Sequence, residues 1–60
     1  MNISAAREKA GISQSELAKQ LDVTQGAVSQ WESGQTRPRS DMLVRLADAL
    51  KCTVDELLRG

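Results

Sequence analysis

The sequence predicts an all-α fold, a compact bundle of five short helices in one domain spanning residues 1–60. Three observations carry this expectation. Apolar residues recur at i, i+3, i+4 and i+7, and no segment alternates polar and apolar long enough to make a strand. Ser13, Thr24, Ser40 and Thr53 each precede an apolar-periodic run, where a helix needs a side-chain acceptor for its first free amides. Gly11 and Gly34 stand where two of the runs stop.

The elements follow in order. A first helix over 2–10 carries Ile3, Ala6 and Ala10 as a thin apolar stripe. Ser13-Gln14-Ser15-Glu16 is a Ser-x-x-Glu capping box, in which hydroxyl and carboxylate each close one unpaired amide. It opens a second helix over 13–20, with Leu17, Ala18 and Leu21 on its inner face. Leu21-Asp22-Val23 makes a tight connection, and Thr24 caps a third helix over 24–33. Arg37-Pro38-Arg39 breaks the chain before Ser40, which caps a fourth helix over 40–50 with Leu43, Leu46, Ala47 and Leu50 in register. Thr53-Val54-Asp55-Glu56 repeats the capping-box pattern for a last helix over 53–59, bearing Val54, Leu57 and Leu58. With Ile12, Val23, Val28 and Trp31 these stripes form a single core. A buried Trp31 predicts that Trp31→Ala costs ~3–5 kcal/mol.

Composition narrows the function classes. A chain of 60 residues buries only ~60% of its unfolded surface, which leaves no room for a deep enclosed substrate pocket. Eight basic and eight acidic side chains cancel, so the protein does not coat nucleic acid by charge alone. Histidine is absent, and with it the usual zinc ligands and His-based general bases. No cofactor, metal or small-molecule ligand is expected, and an enzyme is disfavoured. Cys52 is the sole cysteine, which excludes an intrachain disulfide and fits a reducing cytoplasm; it reads as a packing thiol rather than a redox switch. No apolar run approaches the ~18 residues of a membrane span, and the N-terminus has no signal-peptide pattern.

Residues 13–33 carry the functional signal. Two short helices joined by Leu21-Asp22-Val23, with Leu21 and Val23 turned inward, have the geometry of a helix-turn-helix, whose second helix enters a DNA major groove. At 100° per residue, Thr24, Ala27, Val28 and Trp31 share one side of that helix. Gln25, Gly26, Ser29, Gln30 and Ser33 share the other, a face with amide and hydroxyl groups and no charge. Such groups suit base edges, glutamine pairing bidentately with adenine. Gly26 removes bulk where backbone and DNA approach, at a cost to the helix of roughly 1 kcal/mol. The plain alternative is an ordinary polar surface. The flanks weigh against it: Gln14 lies in the first turn of the second helix, where free amides attract phosphate, and Arg37 and Arg39 follow the third helix, within reach of a DNA backbone. Those two arginines read otherwise as a solvated turn.

Taken together, these pieces resemble the lambda-repressor-like, Xre-type helix-turn-helix domains of phage repressors, Cro proteins and bacterial regulators. Arg7-Glu8-Lys9-Ala10-Gly11-Ile12-Ser13-Gln14 is similar to the family's passage from first to second helix, and Glu16-Leu17-Ala18 to its second-helix core. Val23-Thr24-Gln25 and Val28-Ser29-Gln30-Trp31-Glu32-Ser33-Gly34 look like its recognition helix and exit. Arg37-Pro38, Leu46-Ala47-Asp48-Ala49-Leu50 and Val54-Asp55-Glu56-Leu57-Leu58 complete the order. The resemblance implies base readout by Gln25, Gly26, Ser29 and Gln30. It implies backbone contacts by Ser13, Gln14, Thr24, Ser33, Arg37 and Arg39, and a structural ion pair between Arg7 and Glu32. It further implies a bacterial or phage-encoded cytoplasmic regulator, a repressor of Cro/C1 type, bound as a homodimer to a two-fold symmetric operator in double-stranded DNA. Val54, Leu57 and Leu58 are the candidate dimer face. Three positions depart from the pattern. Ala6 replaces a larger apolar residue, Lys51-Cys52 replaces a frequent Gly-Val, and Gly26 replaces a side chain that often reads a base. A protein-interaction module of the same fold, binding a partner in the manner of an antitoxin or anti-repressor, is the competing function. Steep salt dependence separates DNA binding from an apolar interface.

Overall fold

Side-chain caps set where three of the helices start, and the computed structural model, which describes residues 1–59, places five helices in the expected order. They are α1 (Ile3–Ala10), α2 (Gln14–Leu21), α3 (Gln25–Ser33), α4 (Ser40–Leu50) and α5 (Val54–Leu58). No strand occurs among the described residues. The Ser13 box is complete: Glu16 N–H donates to Ser13 Oγ at 3.1 Å and Ser13 N–H to Glu16 Oε1 at 3.0 Å. Thr24 Oγ1 accepts from Ala27 N–H at 3.1 Å. Each cap residue keeps an extended backbone, so α2, α3 and α5 begin one residue later than the sequence suggested.

Two cap expectations change. Thr53 Oγ1 accepts from Glu56 N–H at 3.1 Å but also donates to Glu56 Oε1 at 3.3 Å, so the carboxylate closes on the hydroxyl and the box is half formed. Ser40 does not cap α4. The chain leaves Pro38 extended through Arg39, which occupies the cap position without a side-chain bond, and Ser40 is already the first helical residue.

α1, α2 and α4 close with a residue in the left-handed region, as does α3. Gly11 and Gly34 do this without cost, at φ 75° and 85°, whereas Asp22 and Lys51 do it at φ 58° and 56°. Lys51 thus ends α4 as the sequence boundary predicts, using the geometry that glycine favours.

Ile3, Leu17, Leu21, Val28, Leu46, Leu50 and Leu57 fill the core with Ala18 and Ala47. Ile12, Val23 and Trp31 pack against it half-buried. Ala10, counted in the α1 stripe, is exposed. With alanines at Ala5, Ala6 and Ala10, α1 leaves an open groove of about 590 Å³ toward Ala49, Leu50 and Cys52. The candidate dimer face is corrected by burial. Leu57 is 0% exposed and belongs to the core, Val54 is half-buried against it, and only Leu58 stays open at 53%. A five-residue helix turns one residue per turn inward, and on α5 that residue is Leu57.

Candidate nucleic-acid interface

The connection between α2 and α3 is built by three residues. Asp22 turns the chain, its N–H donating to Lys19 O at 3.2 Å, while Val23 N–H donates to Ala18 O at 3.0 Å. Leu21 is buried and Val23 half-buried, which sets the angle between the two helices. Arg45 Nη2 donates to Leu21 O at 2.9 Å, so α4 supplies a cation to the negative end of α2.

α3 divides as its periodicity predicts. Val28 is buried and Ala27 and Trp31 half-buried, while Gln25, Gly26, Ser29, Gln30 and Ser33 are all exposed. Thr24, placed on the inner side by helical angle, is exposed because the cap residue lies outside the helical turn. Ser33 Oγ donates to Gln30 O at 3.1 Å. The Ser13 and Thr24 hydroxyls, accepting from backbone amides, each retain a hydrogen to give. A methyl at Gly26 would meet only Thr24 Oγ1, at 3.8 Å, so the fold does not require glycine there.

Behind this face lies a chain of polar contacts. Arg7 Nε meets Glu32 Oε2 at 2.7 Å and Nη2 meets Oε1 at 3.4 Å, with side chains 14% and 9% exposed. The pair is therefore largely shielded from water. Arg7 Nη1 also donates to Ile12 O at 2.8 Å, tying the loop after α1 to the same guanidinium. Glu32 Oε1 accepts from Gln14 Nε2 at 2.9 Å, and Gln14 Oε1 accepts from Gln25 Nε2 at 3.5 Å, the outer limit of a hydrogen bond. Burial works to raise the Glu32 carboxyl, but the hydrogen bonds from Arg7 and Gln14 and the Arg7 charge outweigh it, and the group lies below the usual carboxylate range. The same hydrogen bond raises the Arg7 guanidinium.

Arg37 and Arg39 are exposed on either side of buried Pro38, in the loop that leaves α3. Ser13 caps α2 and Gln14 opens it, Thr24 caps α3, and Gln25, Gly26, Ser29 and Gln30 follow along α3, with Ser33 at its far end and the arginines in the loop beyond. No group of three or more metal-ligating side chains occurs among the described residues. Cys52 is half-buried, its thiol pushed up by burial and by Glu56. Sequence reasoning missed the links of Glu32 to Gln14 and of Arg45 to α2. Both join residues 18 or more apart, where helical period carries no information.

Comparison with known proteins agrees with this fold. The profile of the helix-turn-helix family matches residues 3–57. Over 58 residues the chain is 43% identical to Repressor protein C2 of Salmonella phage P22, covering 97% of this chain and 27% of that protein. It is 41% identical over 49 residues to the HTH-type transcriptional activator BcrR of Enterococcus faecalis, covering 82% of this chain and 24% of that one. The chain therefore spans about a quarter of the length of these relatives. Among solved structures, the P22 c2 repressor crystallised with the synthetic operator 9T and thallium superposes with a TM-score of 0.87 at 43% identity, covering 97% of this chain and 88% of that one.

Proposed function

The chain belongs to the helix-turn-helix family, and from that premise we propose that it is a sequence-specific DNA-binding transcriptional regulator of repressor type. The observation that carries the reading is the exposed side of α3, which presents Gln25, Ser29 and Gln30 with no charged side chain among them. Groups that both donate and accept discriminate base pairs, whereas charge alone binds any sequence. The likeness to a repressor solved in complex with a synthetic operator supports DNA as the ligand. In this reading Gln25, Ser29 and Gln30 meet base edges, and Gly26 lets the helix backbone approach. Ser13, Gln14, Thr24, Ser33, Arg37 and Arg39 hold the sugar-phosphate strands. Repression requires only that the site be occupied, which a domain of this size can achieve.

The longest dimension of the bundle, 24 Å between backbone extremes, is shorter than the ~34 Å between successive major grooves on one side of the duplex. One copy covers a half-site, and two copies read a two-fold symmetric operator. Leu58 is the apolar residue of α5 left to meet a second copy. Among the described residues no helix is long and apolar enough to cross a membrane; in this reading the protein works in the cytoplasm, where its operator lies.

Four alanine variants test the assignment on selected and scrambled duplexes at two salt concentrations. Loss of Gln25 or Gln30 is expected to cost ~1–3 kcal/mol on the selected site and to relax one position. Loss of Arg37 or Arg39 is expected to weaken all sequences alike and to reduce the salt slope by ~1 each. Glutamine variants that bind every duplex as well as the parent would overturn the reading face and favour a protein partner.

A further inference from the structure

The ion pair behind α3 ends in a residue that can only accept. A carboxylate has no hydrogen to give, so Glu32 Oε1, 2.9 Å from Gln14 Nε2, dictates that the Gln14 amide points its nitrogen inward and its oxygen outward. That oxygen in turn accepts from Gln25 Nε2, which commits one of the two Gln25 N–H groups. Gln25 is left to present one N–H and its carbonyl oxygen outward. A donor beside an acceptor is the complement of adenine, through N7 and N6. With the Gln14 amide reversed, Gln25 would turn its oxygen toward Gln14 and present two donors. Two donors complement guanine, through O6 and N7.

We infer that Glu32 is a positioning residue that sets the amide polarity of Gln14 and Gln25, and so decides adenine over guanine at the base pair Gln25 meets. The inference rests on the reading that α3 enters the major groove. The ion pair then has two separable parts. Arg7 secures Glu32 and the loop at Ile12, and Glu32 alone orders the amides. Exposure fits the division: Gln14 is half-buried, held from beneath, while Gln25 is exposed above it.

Selection from random duplexes tests this with the parent and three variants, each checked for fold by circular dichroism at low temperature. The parent is expected to select adenine at one position of each half-site. Glu32→Gln offers Gln14 either a donor or an acceptor, and the adenine-over-guanine preference there is expected to fall about tenfold, within the range one bidentate pair supplies, with the other positions unchanged. Gln14→Met leaves the ion pair intact, removes the link, and is expected to lose the same preference while melting higher than Arg7→Met, because Glu32 keeps its counter-charge. Arg7→Met is expected to melt lower but to keep the choice of adenine, because the carboxylate still accepts. A purely structural ion pair predicts the opposite order, with Arg7→Met and Glu32→Gln alike and Gln14→Met silent. A parent that selects adenine, with Gln14→Met and folded Glu32→Gln selecting it equally, overturns the role of Glu32. A parent with no preference anywhere overturns the reading of α3 itself.

Discussion

At Lys51 a side chain with no local compensation holds the left-handed conformation, at φ 56°. For an L-residue this geometry costs ~1–2 kcal/mol, from which glycine is exempt. Lys51→Gly is therefore expected to stabilise the fold by about 1 kcal/mol and to raise the melting temperature by ~4–8 °C in a domain this small; thermal unfolding followed by circular dichroism measures it, and an unchanged or lower midpoint would refute the strain. Gly26 presents the reverse case. Its φ is not positive and a methyl would meet only Thr24 Oγ1, at ordinary van der Waals distance, so Gly26→Ala is expected to gain up to ~1 kcal/mol from helix propensity. A variant that melts lower than the parent would mean that the start of α3 is tighter than its geometry indicates. The glycine thus has no folding reason, which is consistent with the proposed close approach of α3 to DNA.

Helix ends and helix faces set the next level. Ser13→Ala removes the acceptor for Glu16 N–H and is expected to cost ~1 kcal/mol, chiefly by loosening the first turn of α2. Glu16 is drawn below the usual carboxylate range by the Ser13 backbone and hydroxyl, as Glu32 is by Arg7 and Gln14 despite its burial. A folded value below the unfolded one contributes stability that is complete above the ordinary carboxylate value of 4.5 and is lost as pH falls through the lowered value. Glu32→Gln leaves the shielded Arg7 without its counter-charge and is expected to cost about 2 kcal/mol at neutral pH. The gap in melting temperature between parent and variant should narrow below 4.5; a gap that holds constant into acid would exclude the ionised carboxylate as its source. On α3, Trp31 is half-buried rather than enclosed, so Trp31→Ala is expected to cost about 2 kcal/mol, short of the ~3–5 kcal/mol of a fully buried ring.

Over the whole molecule the exposed area is 3942 Å², close to the ~3,800 Å² that a compact monomer of this mass exposes. The bundle therefore closes its own core. Leu57 and Leu58, neighbours on α5, should separate folding from pairing. Leu57→Ala opens the core and is expected to cost ~3 kcal/mol, which leaves little of a small domain's stability. Leu58→Ala is expected to change stability by less than ~0.5 kcal/mol while weakening joint occupancy of a two-fold operator. Calorimetry and the stoichiometry on symmetric and half-site duplexes distinguish the two, and a Leu58 variant that fills both half-sites as cooperatively as the parent would remove α5 from the pairing surface.

What the sequence alone determined is what local physics controls. Caps act across three residues and amphipathic faces repeat every turn, so five helices, their order, the stops at Gly11 and Gly34 and the uncharged side of α3 were all legible. Ser40 and the Thr53 box were misread because a cap depends on the backbone its side chain finds, and buried Pro38 carries the chain extended through Arg39. The tertiary structure decided everything that depends on residues distant in the chain. Packing of α5 on α4 chose Leu57 for the core and left Leu58 outside. The fold brought Arg45 to the end of α2, and set Gln14 between Glu32 and Gln25. Spacing along one helix could show that Gln25 faces outward, but only the acceptor fixed beneath Gln14 by a chain 18 residues away determines which atoms it presents.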